Sequence, residues 1–288
     1  MKIALGTVQF GLKYGIANQS GQVAESEVRK ILSLAQVAGI DTLDTAVGYG
    51  ESEAVLGRAG VEGFRIVSKL PELPTDCLDI TQWVLDEVHG SLARLGIAQL
   101  DALLLHEPDD LLGSRSQEYQ KALQYVKGEQ LVKAVGVSVY RPAELDLLFP
   151  SFVPDMIQIP CNVLDRRLVN SGWLSRLRDR GVRVHVRSAF LQGLLVMDRA
   201  LRPVYFDPWA PLLDNWLDWC TSHQVTPLQA ALSYPLSLVA VERVVAGVDS
   251  MAQLAQIVEA TRVQLPPVPE HLSCDDVTLI EPFRWKTT

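Results

Sequence analysis

Short runs rich in Val, Ile and Leu recur along the chain, at Ile3 to Thr7, Ile40 to Leu43, Arg65 to Ser68, Ala102 to Leu105, Ala134 to Val137, Met156 to Ile159, Val182 to Val186 and Val244 to Val248. They are apolar nearly throughout rather than strictly alternating, the pattern of parallel strands covered by helices. Between them the apolar positions fall at helical spacing. From Glu25 to Ala38, Val28, Ile31, Leu32 and Ala35 share one face, and Gly39 follows, the residue expected just past a helix end. Cys77 to Leu95 repeats this with Val84, Val88, Leu92 and Leu95 before Gly96. Glu118 to Val126 precedes Gly128, and Arg166 to Arg180 precedes Gly181. Pro142 opens a short helix to Leu148, as the preference of Pro for a first turn predicts. Trp216 to Ser222, Pro227 to Leu236 and Met251 to Val258 complete the helical segments.

Eight strands alternating with helices in 288 residues favour one closed (β/α)8 TIM barrel over a doubly wound sheet. The competing fold would carry G-x-G-x-x-G after its first strand, whereas Gly6, Gly11 and Gly15 have the wrong spacing and no helix is expected directly behind them. The pattern predicts a single barrel domain over residues 1–288. Arg199 to Pro211 reads as an insertion near the seventh loop, and 263–288 as a tail without clear period that contributes to the substrate pocket.

Composition narrows the partners. With 48% apolar and 21% charged residues the chain can bury a large core. A formal net charge of -8 argues against nucleic acid or an anionic membrane surface as partner. The first residues, MKIALGTVQFG, are too short an apolar run for a signal peptide core or a spanning helix, so a cytoplasmic location is expected. Cys77, Cys161, Cys220 and Cys274 form no C-x-x-C pair, and the five histidines form no H-E-x-x-H group, so neither a disulfide framework nor a metal site is expected. Oligomeric state is not legible.

The barrel expectation directs attention to the polar residues at the C-terminal strand ends, which share one rim. Within DTLDTAVGYGESE, Asp41 to Glu53, Asp44 ends the second strand and Tyr49 lies on the loop behind it. Lys69 ends the third strand and His106 the fourth. A phenol, with an ordinary pKa of about 10, is a weak proton donor at neutral pH, and a nearby ammonium makes it a stronger acid. Lys69 would supply that charge, Asp44 would hold the lysine, and His106 would hydrogen-bond a substrate oxygen or help relay a proton. The set suits protonation of a carbonyl oxygen as hydride arrives. Tyr14, Tyr140 and the tryptophans read as packing residues or pocket walls. Phe10, the loop after His106, the region of Trp209 and Pro282 to Trp285 are further candidate walls.

In these residues the chain resembles the aldo-keto reductase family, from LGTVQFG to AGVDSMAQL. DTAVGYGESE looks like the family's Asp and Tyr segment, VSK its lysine, LLLH its histidine, and GVS, QIPCN and FLQGLL the ends of strands five to seven. The resemblance implies NADPH or NADH as hydride donor, a small-molecule carbonyl substrate, and the roles named above for Asp44, Tyr49, Lys69 and His106. It implies a cofactor site formed by Gly6 and Thr7, by Ser138 and Gln158 at the carboxamide, by Arg187 at the nicotinamide-stacking position, by Ser188, Gln192 and Gly193 near the pyrophosphate, and by Gly247, Asp249, Ser250, Gln253 and Gln256 at the adenosine. A helix beginning near Ser250 would present its N–H groups to phosphate there.

Four residues depart from the family pattern: Val139 where Asn is frequent, Arg187 where an aromatic ring stacks on the nicotinamide, Asp249 near the 2′-phosphate position, and Ile257 for a usual Asn. Arg187 could stack, grip an anionic substrate or cofactor phosphate, or form a rim ion pair. Asp249 could repel the 2′-phosphate, accept from a ribose hydroxyl, or cap the last helix. Readings from other classes are a cofactor-binding sensor or regulatory subunit with slow or no turnover, kept open by Val139 and Arg187, and a metal-independent lyase or isomerase with Lys69 as Schiff-base former.

Overall fold

The computed structural model describes residues 1–18, 20–263 and 265–286. The strands are β1 (Ile3–Gly6), β2 (Thr42–Asp44), β3 (Arg65–Leu70), β4 (Ala102–Leu105), β5 (Val135–Ser138), β6 (Met156–Pro160), β7 (Arg183–Arg187) and β8 (Arg243–Gly247). The helices are α1 (Val8–Gly11), α2 (Glu25–Val37), α3 (Ser52–Ala59), α4 (Ile80–Leu95), α5 (Ser116–Gly128), α6 (Pro142–Leu148), α7 (Arg167–Asn170), α8 (Trp173–Asp179), α9 (Ala210–Ser222), α10 (Pro227–Ser237), α11 (Met251–Ala260) and α12 (Val277–Ile280). The strands are parallel and close in sequential order, β1 pairing with both β2 and β8. This is the predicted (β/α)8 barrel. None of its helices among the described residues is long and apolar enough to cross a membrane.

The register carries the rim. Gly6 stands beside Asp44 on one side and Gly247 on the other, Asp44 pairs with Val67, Lys69 with Leu104, and Ser138 with Gln158. Strand residues facing outward, among them Leu5, Leu43, Ile66, Leu103, Val135, Ile157 and Val184, join the core shared with the helices. Those facing inward form a small apolar layer of Val67, Ala102, Leu104, Ala134 and Met156. Beneath it, Arg183 reaches Asp101 at 2.8 Å and Glu242 at 2.8 Å, and Arg65 reaches Asp41 at 2.9 Å, closing the N-terminal end with paired charges. The barrel is thus open to function at one end only, the C-terminal rim.

Helix boundaries follow local chemistry. In α4 the Asp79 carboxylate accepts from the Gln82 N–H, so the helix begins three residues later than the apolar pattern from Cys77 suggests. Such a cap contributes about 1 kcal/mol. Gly96, at φ 68°, ends it in the left-handed conformation expected of glycine. The segment expected as one helix from Arg166 to Arg180 is two, α7 and α8, broken at Gly172 with φ 76°. A one-turn α1 follows β1 directly, where no helix was expected. Four apolar residues of α2, Val28, Ile31, Leu32 and Ala35, are buried as predicted. Each of the larger three contributes roughly 1.5–3 kcal/mol.

The insertion and the tail pack on each other. Phe206, Leu213, Trp216 and Cys220 form a second apolar cluster with Leu272, Leu279 and Ile280. Glu281, fully buried, fastens the tail: it accepts from Arg141 at 2.7 Å, Arg284 at 2.7 Å and Arg167 at 2.8 Å. Burial pushes this carboxyl up, but the three guanidinium groups outweigh that and hold it at about 2.

Candidate active site

A cavity of about 1030 Å³ opens at the C-terminal rim, with Asp44, Tyr49 and His106 at one end and Asp249, Gln253 and Gln256 at the other. It exceeds the usual range for a drug-sized ligand, roughly 300–1,000 Å³.

At the first end, β2 and β3 deliver a buried ion pair. Lys69 Nζ donates to Asp44 Oδ1 at 2.6 Å and to the Thr45 carbonyl at 2.8 Å, with side chains 1% and 4% exposed. Lys69 Nζ also lies 5.1 Å from the Tyr49 ring centre, and the Tyr49 and His106 rings meet edge to face at 5.8 Å. The four predicted residues are therefore brought together from three strands and one loop. Burial pulls the Lys69 ammonium down, but Asp44 and Tyr49 together more than offset it and the net shift is upward. Lys69 is held charged, which leaves no neutral amine for a Schiff base.

Tyr49 differs from expectation. Lys69 does lower its pKa, but burial raises it more, so the phenol sits above its ordinary value rather than below. Desolvation of the phenolate is the larger effect because the ring is enclosed, and Asp44 partly screens the lysine. For His106, burial, then Lys69 and Arg187, push the imidazole down to about 4. It is neutral at pH 7 and offers a hydrogen bond rather than a charge.

The predicted cofactor residues divide. Gly6, Thr7, Gln158, Arg187, Ser188, Gln192, Gly193, Gly247, Asp249, Gln253 and Gln256 line the cavity with Asp44, Tyr49 and His106; Lys69 is buried behind them. Ser138 and Ser250 do not; Ser138 is buried at the end of β5 and Ser250 caps α11. Gln158, expected at the carboxamide, donates from Nε2 to Asp44 Oδ2 at 2.6 Å and so fixes the second carboxylate oxygen. Thr7 likewise turns to the scaffold: its hydroxyl donates to the Asp44 carbonyl at 2.9 Å and accepts from Ser52 at 2.9 Å. Neither partnership has a local sequence signal, since the residues are far apart in the chain.

The loop after β7 has left-handed backbone at Ser188 (φ 61°), Leu191 (φ 48°) and Gln192 (φ 52°), uncommon for residues other than glycine and a mark of functional loops. Segment Tyr14 to Asn18 spans the cavity mouth toward it. Gln192 Nε2 donates to Tyr14 Oη at 3.3 Å, Gly193 abuts Ala17 so closely that a Cβ would stand 2.5 Å from it, and Asn18 Nδ2 donates to Asp249 Oδ1 at 3.1 Å.

At the far end α11 begins at Met251, close to the predicted start, but its N-terminus is not open to an anion. Met251 N–H donates to the Glu27 carboxylate at 2.9 Å and Gln253 N–H to Ser250 Oγ at 3.2 Å. The cap is Ser250, not Asp249. The far wall carries two carboxylates, Asp249 and Glu259, and among the described lining residues the cationic side chain is Arg187, at the other end.

Of the candidate walls, Tyr14 and Tyr140 line the cavity, Phe10 is buried beneath it, and no described residue of the tail lines it. The tail bears on the cavity through Phe283, whose ring meets Tyr140 edge-on at 4.7 Å. Thr226 to Gln229, at the start of α10, also line it and had no signal in the sequence.

The Aldo/keto reductase family model matches residues 2–268. The chain is an aldo-keto reductase. It is similar to a D-threo-aldose 1-dehydrogenase of a Pseudomonas species, 26% identical over 91% of this chain and 92% of that protein. It is also similar to a 6-dehydroglucose reductase of Agrobacterium fabrum, 27% identical over 63% of this chain and 66% of the other. In structure it resembles the holo form of aldo-keto reductase AKR11C1 from Bacillus halodurans, with TM-score 0.75 and 22% identity over 94% of this chain and 90% of that one. This aldo-keto reductase is accordingly an NAD(P)H-dependent oxidoreductase of carbonyl compounds. The donor set fits such a cofactor: amides and carboxylates at the far end suit a purine and ribose, and the cavity volume suits a dinucleotide with a small substrate.

Proposed function

We propose that this enzyme reduces an aldehyde or ketone to an alcohol with Tyr49 as proton donor. The observation that carries the reading is the Lys69–Asp44 pair, 2.6 Å apart and buried beneath the Tyr49 ring, with a neutral His106 beside it. NAD(P)H, when bound, supplies hydride to the carbonyl carbon. Tyr49 gives its proton to the carbonyl oxygen, and the charged Lys69 stabilises the phenolate that remains. His106 donates a hydrogen bond to the same oxygen and, being uncharged, does not compete as a cation for Asp44. Asp44 keeps Lys69 charged and in place, and Gln158 and the Thr45 carbonyl keep the pair from rotating.

The cofactor this site favours is NADH. A 2′-phosphate at the far end would meet Asp249, which has no ion-pair partner among the described residues, while Glu259 is already paired with Arg262 at 2.8 Å; a ribose hydroxyl can instead donate to the Asp249 carboxylate. Two of the relatives carry sugar names, which supports a polyhydroxylated carbonyl compound as substrate class. Titration of purified protein with NADH and NADPH, read by nicotinamide fluorescence, is expected to give a Kd for NADH at least about tenfold lower, a difference of about 1.4 kcal/mol. Equal affinities would overturn the cofactor preference, and no binding of either at millimolar concentration would overturn the reductase reading. Tight NADH binding without turnover across aldehydes, ketones and aldoses would instead favour a nucleotide sensor.

A further inference from the structure

Among the described residues that line the cavity, one guanidinium, Arg187, has no carboxylate partner, and it stands at the end of Tyr49 and His106. Arg187 terminates β7 on the inward-facing series Arg183, His185, Arg187, while Val184 and Val186 face the helices. Arg183 is consumed by Asp101 and Glu242. Arg187 has no carboxylate within ion-pair distance among the described residues. Its contacts are Nη2 to the Val139 carbonyl at 3.2 Å, Nη1 to Ser188 Oγ at 3.5 Å, and the guanidinium carbon 4.1 Å from the Tyr140 ring centre.

These contacts orient the group without neutralising it. Stacking on Tyr140 fixes the plane, and the Val139 carbonyl fixes its rotation about that plane. Tyr140 is in turn seated by Phe283 at 4.7 Å, on a tail fastened by Glu281, which also grips the next residue, Arg141. A half-buried guanidinium held flat, with Nε and further N–H groups free, is arranged for a planar two-oxygen acceptor. Arg187 ends β7 at the rim and lines the cavity with Tyr14, Tyr49, Tyr140 and His106, the end of the reacting carbonyl rather than of the ribose.

We infer that Arg187 is a specificity residue for substrates bearing a carboxylate near the reacting carbonyl, which it binds while Tyr49 and His106 engage the carbonyl oxygen. This rests on the reductase reading and names the substrate class of that same site. No extra reactant is needed: carbonyl, NADH and a proton give alcohol and NAD⁺, with the carboxylate unchanged. Uncharged substrates would leave the guanidinium desolvated without a partner, which is the source of discrimination.

The test uses the full chain with NADH and three matched pairs: glyoxylate and methyl glyoxylate, succinic semialdehyde and butanal, 4-formylbenzoate and its methyl ester. At least one carboxylate is expected to exceed its partner by tenfold or more in kcat/KM. Arg187→Met should bring that ratio to within about threefold of unity, and Arg187→Lys should restore part of it, since charge remains but the planar fork is lost. In parallel, binding of 4-(hydroxymethyl)benzoate and its methyl ester to the protein–nucleotide complex is read by nucleotide fluorescence. The acid should bind at least tenfold tighter in the wild type and not in Arg187→Met, while the NADH Kd of the variant reports that it is folded. Equal binding of acid and ester, a ratio that survives Arg187→Met, or a tenfold weakening of NADH itself with the ratio intact would overturn the inference. An intact binding ratio with no turnover of any pair would overturn the reductase reading and leave the carboxylate site standing.

Discussion

The two ends of the cavity are built on different principles. At the end of Tyr49 and His106 the buried polar groups lie on strands and are tied to one another, Lys69 to Asp44 and Thr45 and Asp44 to Gln158, with the Tyr49 ring over the lysine. At the ribose end the groups lie on loops and a helix start, and they clasp one another across gaps in the chain, Asn18 to Asp249 and Glu27 to Met251. The first end buries charges, so removing one member strands its partner at a cost of several kcal/mol. The second keeps its carboxylates partly solvated, so their identity can change with little effect on the fold. Chemistry is therefore constrained by stability, and cofactor choice is not.

The sharpest way to break this contrast is Tyr49→Phe, which should lower kcat by about 10²–10⁴-fold while leaving the NADH Kd within about twofold. Steady-state kinetics and a fluorescence titration check both halves, and unchanged turnover would remove the phenol from its role. Lys69→Met should cost roughly 3–5 kcal/mol in urea unfolding, because Asp44 remains buried and unpaired. The double variant with Asp44→Asn should recover part of that loss. A midpoint unmoved by Lys69→Met would contradict the claim that stability constrains this end.

Acid sensitivity tests the depth of the same end. His185, the register partner of Gln158 on β7, is fully buried with neither ring nitrogen hydrogen-bonded among the described residues, and burial lowers it to about 4. As pH falls below the ordinary value of 6.5, the unfolded chain takes up a proton that the folded one refuses, so the contribution of His185 to stability declines until about pH 4 and levels off beneath it, where the loss of Glu281 and Asp41 as carboxylates takes over. The interval corresponds to roughly 3 kcal/mol at most. In His185→Leu the urea midpoint should decline less over that range, and an unchanged slope would count against it. The smallest effect is expected at the ribose end. Asp249→Ser should shift the NADPH-to-NADH affinity ratio toward NADPH by about tenfold, equivalent to about 1.4 kcal/mol, with no change in unfolding midpoint. A ratio unaffected by the change would show that Asp249 does not face the ribose.

Much of the architecture was legible beforehand because it depends on local chemistry. The apolar runs marked all eight strands, and glycines after Ala38, Leu95 and Arg180 marked where helices stop. The order Asp44, Tyr49, Lys69, His106 on successive strands was enough to anticipate their meeting at the rim. What escaped were partnerships between distant residues: Gln158 with Asp44, Thr7 with Ser52, Glu27 with the start of α11, and the tail with Arg141 and Arg167. Ser250 alone suggested an anion site at a helix start; the carboxylate that occupies it lies on α2.

The sequence by itself determined the barrel, its rim and the meeting of Asp44, Tyr49, Lys69 and His106 at that rim, because strand pattern and strand ends are properties of short segments. Tertiary structure decided the electrostatics: that Tyr49 is raised rather than lowered, that His106 is neutral, and that Arg187 stands unpaired against Tyr140. Those outcomes depend on how completely each group is removed from water and on which charges lie nearby in space, and only the closed fold sets either.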